Sequence, residues 1–210
     1  MKGGYNCIAP YYDYLSKIVF GDAIICVQRF LLQSIKPNST ILIIGGGTGW
    51  ILKEIATTHP AGLTITYIDI SAAMIGLSAK RNFGGNEVVL ITGDIQQIPI
   101  DGNFDIVITP FLLDNFFTDT VELIIKKIDG QLKPGGLWLF ADFEVSPTNQ
   151  LWQKPLLKLM YFFFKIVCSI EANSLPDTNS LFTQYGYSKI STKTFFRNFI
   201  TGIVFKKPDR

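Results

Sequence analysis

Three glycines at alternating positions, Gly45, Gly47 and Gly49, follow a short apolar run in the segment Ile41-Leu42-Ile43-Ile44-Gly45-Gly46-Gly47-Thr48-Gly49-Trp50. Without Cβ atoms such a segment can turn sharply and let a ligand approach the backbone. Two carboxylates follow it in the chain. Asp69 stands twenty residues past Gly49, and Asp94 lies within Gly93-Asp94-Ile95. A carboxylate at the first place can accept from both hydroxyls of a ribose, a charge-assisted pairing stronger than a neutral one. At the second place it can take the amino group of an adenine, while the next backbone N–H meets a ring nitrogen. Taken singly, each feature also has a structural reading: a tight turn, a helix cap and a polar loop residue. Taken in order, each closing an apolar run, they point to an adenosine ligand.

The charge of that ligand is constrained too. A dinucleotide loop of the form GxGxxG needs a third glycine, and counting from Gly45 or Gly47 its place falls on Trp50 or Leu52. A bulky side chain where a pyrophosphate should meet a helix N-terminus argues against NAD or FAD. Two neighbouring acids would repel a pyrophosphate and suit a cation. S-adenosylmethionine (SAM), with its sulfonium and ammonium, has that charge.

These residues need strands and helices in alternation to place them. Thr40–Ile44 reads as a strand buried on both faces of a parallel sheet, and Leu63–Ile68, Glu87–Thr92, Phe104–Thr109 and Leu137–Phe143 read as four further strands. Thr48–Thr58, Ala72 to about Asn82, Thr118 to about Leu132, Leu151–Ala172 and Thr178–Gln184 read as helices, with Ser71 capping the second. Lys133-Pro134-Gly135-Gly136 reads as a turn. Tyr187–Thr192 and Asn198–Phe205 leave no room between them for a crossover helix, so they form an antiparallel hairpin. The expected fold class is α/β: a three-layer αβα Rossmann-like sandwich on a mixed seven-stranded sheet. One domain over 1–210 is expected. It divides into an N-terminal helical lid over 1–39, a ligand-binding core over 40–143, and cover helices with a C-terminal hairpin over 144–210.

Composition narrows the function classes. Lys plus Arg is 19 against 17 Asp plus Glu, a net charge of +2 that gives no footprint for nucleic acid. The three cysteines, Cys7, Cys26 and Cys168, form no CxxC and suggest reduced thiols in a cytoplasmic protein. No metal-ligand spacing is present, and no secretory leader is expected at the N-terminus. The longest apolar segment, Leu151–Ile170, carries Lys154, Lys158 and Lys165, which is too polar for a membrane span. Attachment to a membrane surface stays open, as does the oligomeric state.

The chain resembles the class I SAM-dependent methyltransferases, and within them the ubiquinone/menaquinone-biosynthesis branch. The motifs that carry the resemblance span nearly the whole chain. Ile8-Ala9-Pro10-Tyr11-Tyr12-Asp13 is similar to the opening signature, and Gly45, Gly47 and Gly49 to motif I. Asp69-Ile70-Ser71 with Met74 is similar to the segment after it, Gly93-Asp94-Ile95 to motif II, and Leu132-Lys133-Pro134-Gly135-Gly136 to the turn before strand five. The resemblance implies a strand order 3-2-1-4-5-7-6 with the last strand antiparallel, SAM as cofactor and S-adenosylhomocysteine (SAH) as its product. It also implies roles. Gly45, Gly46, Gly47 and Gly49 would cradle the methionine part, and Asp69 with Ile70 would take the ribose. Met74, Asp94 and Ile95 would surround the adenine. Thr109, Pro110 and Phe111 would flank the sulfonium, and Tyr12 would close the site from a lid. One departure stands out: motif I usually has an acid two residues before its first glycine, and here that residue is Ile43.

Methyl transfer needs alignment and exclusion of water, plus a base when the acceptor is a hydroxyl or carbon acid. Tyr12, Tyr14, Asp114 and Asp142 are base candidates by position, with Tyr11 and Glu144 behind them; none is singled out. His59, the sole histidine, is expected on the far face. The aromatic run Tyr161-Phe162-Phe163-Phe164 reads either as cover for an apolar or lipid-like acceptor or as core. The expected function is methyl transfer to a small acceptor. The alternatives are a non-catalytic SAM-binding protein, which Ile43 favours, and a nicotinamide-dependent oxidoreductase, which Trp50 opposes.

Overall fold

The computed structural model describes residues 4–168 and 172–209. Seven strands form one sheet: β1 (Thr40–Ile44), β2 (Ala61–Asp69), β3 (Gly85–Thr92), β4 (Phe104–Pro110), β5 (Leu132–Phe143), β6 (Ser188–Phe195) and β7 (Ile200–Lys206). Their order is β3-β2-β1-β4-β5-β7-β6, and β7 runs antiparallel to both of its neighbours. The expected fold class and strand order are those observed.

The physical basis is visible in β1. Ile41 and Ile43 point to one side, packed against α2 (Ala23–Leu32) and α3 (Trp50–Thr58) through Val27, Leu31, Ile51 and Ile55. Leu42 and Ile44 point to the other, with Val121, Ile124 and Ile128 of α5 (Thr118–Asp129) and Phe182 of α7 (Thr178–Gln184). A strand covered on both faces reads as a continuous apolar run rather than an alternating one. A smaller apolar cluster joins α1 (Gly4–Phe20) to α6 (Gln150–Cys168) through Ile8, Tyr161 and Cys168.

Several boundaries differ from the sequence reading. The helix after β2, α4 (Ala72–Ser78), is shorter than expected. Its last residues tighten into i→i−3 bonds, Lys80 N–H to Leu77 and Arg81 N–H to Ser78. Ser71 caps its start as expected, accepting from the Met74 N–H at 3.1 Å. α5 ends at Asp129, before Leu132. The Lys-Pro-Gly-Gly segment is not a free turn but a bulge inside β5. The pairing jumps from Phe104↔Leu132 to Ile106↔Leu137, and Gly135 takes φ +70°. Lys133 holds this bulge by donating to Asp105 at 2.6 Å. The C-terminal hairpin is shifted along the chain by its turn, where Phe196, Arg197 and Asn198 all adopt positive φ. The part of the expected helix Leu151–Ala172 over 169–171 lies outside the described residues.

Candidate active site

The carboxyl ends of β1, β2, β3 and β4 meet along one rim, where open α/β sheets place their ligands. The loop after β1 has Gly45 at φ +70°, Gly47 at +65° and Gly49 at +79°, left-handed conformations that favour glycine. A Cβ at Gly45 would stand 2.9 Å from Leu112 Cδ1, and one at Gly46 would enter the Tyr67 ring. Bare backbone is therefore required here. Tyr67 supports the loop from below, donating its hydroxyl to the Gly47 carbonyl at 2.9 Å.

Asp69 ties two loops together. Its carboxylate accepts from the Gly47 N–H at 3.0 Å and from the Ser71 N–H at 2.9 Å. The group is buried, and burial raises its pKa to about 6 against the lowering effect of those two bonds. A buried carboxylate with remaining acceptor capacity facing a cavity is unusual without a partner. Asp94 is half-buried and accepts from the Gln96 N–H at 2.9 Å.

These groups line a cavity of about 110 Å³. Of the residues expected at the ligand, the structure brings together Tyr12, Gly45, Gly46, Gly47, Asp69, Ile70, Met74, Asp94, Ile95, Pro110 and Phe111. Two are elsewhere. Gly49 does not line the cavity: it packs on α4, where a Cβ would meet the Ser78 backbone at 2.8 Å. Thr109 is turned into the core, accepting from the Trp138 indole N–H at 2.9 Å with no exposure.

A larger cavity of about 330 Å³ adjoins the first, and Tyr5, Tyr12, Ile24, Phe111 and Asn115 line both. Its walls are otherwise nearly all apolar, supplied by α1 and α6. Its one carboxyl is Asp114, from the 3₁₀ turn Leu113–Asn115 that follows β4. Asp142 lies behind, accepting from the Asp114 N–H at 3.1 Å. Burial of both acids together holds the pair well above the usual carboxylate range, so they do not both ionise readily.

The remaining base candidates fall away for separate reasons. Tyr14 and Tyr11 are 69% and 65% exposed, on the outer face of α1 and away from both cavities. Burial beside Asp114 and Asp69 raises Tyr12 far above the ordinary phenol range, so it stays a hydrogen-bond donor. Asp142 reaches neither cavity, and Glu144 accepts from the Thr201 hydroxyl at 2.6 Å. His59 bonds Thr58 at the far end of α3, opposite the cavity rim.

The sequence reading missed the way α1 is fastened. Tyr5 donates to the Asn115 side chain at 2.7 Å, and the Asn6 side-chain oxygen Oδ1 accepts from the Ser71 hydroxyl at 2.7 Å and the Ala73 N–H at 3.1 Å. Asp13 accepts from the Thr48 hydroxyl at 2.5 Å and from Arg81 at 2.8 Å. One helix thus touches the loops after β1, β2 and β4. It also missed Gln28 of α2, which lines the smaller cavity at 7% exposure, its Oε1 buried and without a partner among the described residues. A lone amide in the apolar helix AIICVQRFLL was the available signal. Ile43, by contrast, is packed in the core with no exposure.

The glycine cradle, the buried Asp69 and the orphaned Gln28 oxygen fit an adenosine-bearing cation. Trp50 fills the place where a dinucleotide loop has its third glycine, at the start of α3, with Lys53 and Arg81 over its ring, 4.8 and 5.5 Å from the centroid. Among the described residues, no group of three His, Cys, Asp or Glu could hold a metal ion.

Comparison with known proteins agrees. A family model described as "Methyltransferase domain" matches residues 42–140. A malonyl-[acyl-carrier protein] O-methyltransferase of Priestia megaterium is 31% identical over 151 residues, 72% of this chain and 54% of that protein. A ubiquinone/menaquinone biosynthesis C-methyltransferase of Geotalea daltonii is 29% identical over 192 residues, 88% of this chain and 75% of that protein. Thus the chain spans about half the length of the first relative and three quarters of the second. The N-methyltransferase NodS of Bradyrhizobium japonicum, solved with SAH, shares the fold at TM-score 0.65 and 18% identity, over 89% of this chain and 86% of that one. The chain is thus similar in sequence to a methyltransferase domain over residues 42–140 and to methyltransferases over most of its length, and it shares their fold.

Proposed function

We propose that this chain transfers the methyl group of SAM to a small apolar acceptor held between α1 and α6. The observation that carries the proposal is the meeting of a polar cradle and an apolar cavity at one shared wall of Tyr5, Tyr12, Phe111 and Asn115. A wall common to both is where a donor and an acceptor would face each other with water excluded.

Within the cradle, Gly45, Gly46 and Gly47 offer backbone to the methionine part, and Asp69 accepts from the ribose hydroxyls. Asp94 accepts from the adenine amino group, with Met74 and Ile95 against the ring. Gln28 Oε1 accepts from the ammonium, in place of the carboxylate that Ile43 lacks. The bound cofactor supplies an electrophilic methyl group for in-line displacement. Tyr5 and Tyr12, both kept protonated by burial, orient and seal rather than deprotonate. Asp114 is the group placed to take a proton from an acceptor hydroxyl or carbon acid, since its raised pKa favours holding a proton. Pro110 and Phe111 close the floor.

Relatives named for ubiquinone/menaquinone biosynthesis support an apolar acceptor. Segment 1–39 serves as the lid, 40–143 as the cofactor core and 144–210 as cover and hairpin. The three free cysteines suit a reducing, cytoplasmic setting. Among the described residues no helix is long and apolar enough to cross a membrane.

Transfer of labelled methyl from SAM into solvent-extractable product, scanned over prenylated phenols and quinols, tests the reading. Incorporation that requires both Asp69 and Asp114 is expected. SAM binding with no transfer to any apolar acceptor in a cell extract would leave a cofactor-binding protein without this activity.

A further inference from the structure

Ten of the fifteen exposed large apolar side chains among the described residues lie on just two helices, α1 and α6. On α6, Leu151, Leu159, Phe162 and Ile166 form one outward stripe at helical spacing, 97%, 63%, 65% and 67% exposed. On α1, Tyr11, Tyr14 and Ile18 do the same at 65%, 69% and 62%. The two helices pack together, so the stripes make one face. Contiguous apolar surface of this extent marks an interaction site rather than scattered exposure.

Among the described residues of α1 and α6, lysines outnumber acids. Lys154, Lys158 and Lys165 run along one edge of the α6 stripe, all exposed, and α6 has no acidic residue. Lys17 is exposed on α1, where the only acid, Asp13, is held by Arg81. The face is also continuous with the larger cavity. Leu15, Val19, Leu159 and Phe163 are exposed on it and line the cavity as well.

We infer that the α1–α6 face docks on an anionic lipid bilayer, with the apolar cavity opening toward the membrane. Apolar side chains enter the acyl boundary, tyrosines sit at headgroup depth, and lysines pair with lipid phosphates. A second copy of the chain is a poorer occupant, because a two-fold contact would set lysines against lysines. The docking claim stands on the face alone. That the membrane delivers the acceptor rests on the methyltransferase reading above.

The test is flotation of the full chain with vesicles of phosphatidylcholine alone and of phosphatidylcholine with about one third phosphatidylglycerol. Three proteins are compared: wild type, Ile18→Glu/Phe162→Glu, and Lys154→Gln/Lys158→Gln/Lys165→Gln. The wild type should bind the anionic vesicles at least about tenfold more tightly than the neutral ones, and less at high salt. Both variants should lose about tenfold on anionic vesicles. Unchanged SAM affinity in the variants would show that the fold is intact, so failure here is separable from failure of the cofactor reading. Equal binding to both vesicle types, no binding by the wild type, or a wild-type dimer broken by the glutamate variant without vesicle binding would each overturn the inference.

Discussion

The two cavities are built on opposite principles. The smaller one is a set of loop ends fixed by backbone hydrogen bonds: Asp69 to Gly47 and Ser71, Tyr67 to the Gly47 carbonyl, Gly45 N–H to the Ile68 carbonyl. The larger one is held mainly by side-chain packing between two helices outside the main core, around Ile8, Tyr161 and Cys168. Polar rim groups must keep fixed geometry, because each lost partner leaves a buried donor or acceptor unpaired. Apolar walls can change residue by residue while keeping their volume. The proposed function assigns the fixed half to the cofactor and the adaptable half to the acceptor.

Substitutions in the two halves should therefore separate binding from turnover. The largest effect is expected at the one carboxyl of the larger cavity. Asp114→Asn should lower turnover about 10²–10⁴-fold with SAM affinity within about twofold of wild type, measured by labelled methyl transfer beside calorimetry. An equal loss in both quantities would erase the division. Gln28→Leu should weaken SAM binding about tenfold, and Gln28→Glu should bind at least as tightly as wild type, as the ammonium then meets a carboxylate. If leucine binds as well as glutamine, the amide has no part in the cradle.

The pH dependence should differ between the halves as well. On the proposed reading Asp69 accepts ribose hydroxyls in its ionised form, and burial raises its pKa in the free protein to about 6. SAM affinity should thus be level above neutrality and fall as pH drops through 6, by up to about tenfold per unit. The Asp114–Asp142 pair acts on stability instead. Its folded-state pKa values are raised, so its contribution is fully present below the unfolded carboxylate value and is lost as pH rises through the raised range. Thermal unfolding of the free protein should show stability declining with rising pH across that window. Asp142→Asn should flatten the decline, an effect of about 1–2 kcal/mol. A flat wild-type profile would mean the pair ionises at no cost.

The same contrast decides what the sequence made legible. Strand cores such as Ile41–Ile44 are apolar on both sides and bounded by glycine, so the strands could be read from the residues themselves, while their order came from the resemblance to the methyltransferases. Gly45, Asp69 and Asp94 announced themselves because few residue types can occupy their places. Thr109 did not show its direction, since strand periodicity gives alternate faces but not which face holds an indole needing an acceptor. The fastening of α1 was hidden for another reason. Tyr5 reaches Asn115 and Asp13 reaches Arg81 across separations of 110 and 68 residues, which no local pattern records. The aromatic run at 161–164 divides between cavity wall and outer surface. Tyr161 and Phe164 face the cavity and satellite cluster, while Phe162 is 65% exposed.

Calorimetric titration with SAM, SAH and NADH, repeated on Asp69→Ala, tests the central claim most directly. Micromolar or tighter binding of SAM and SAH is expected, about −8 kcal/mol, with no NADH signal and at least about a hundredfold loss in the variant. Absence of SAM and SAH binding, or equal binding by Asp69→Ala, would contradict the assignment of the glycine rim as the cofactor cradle.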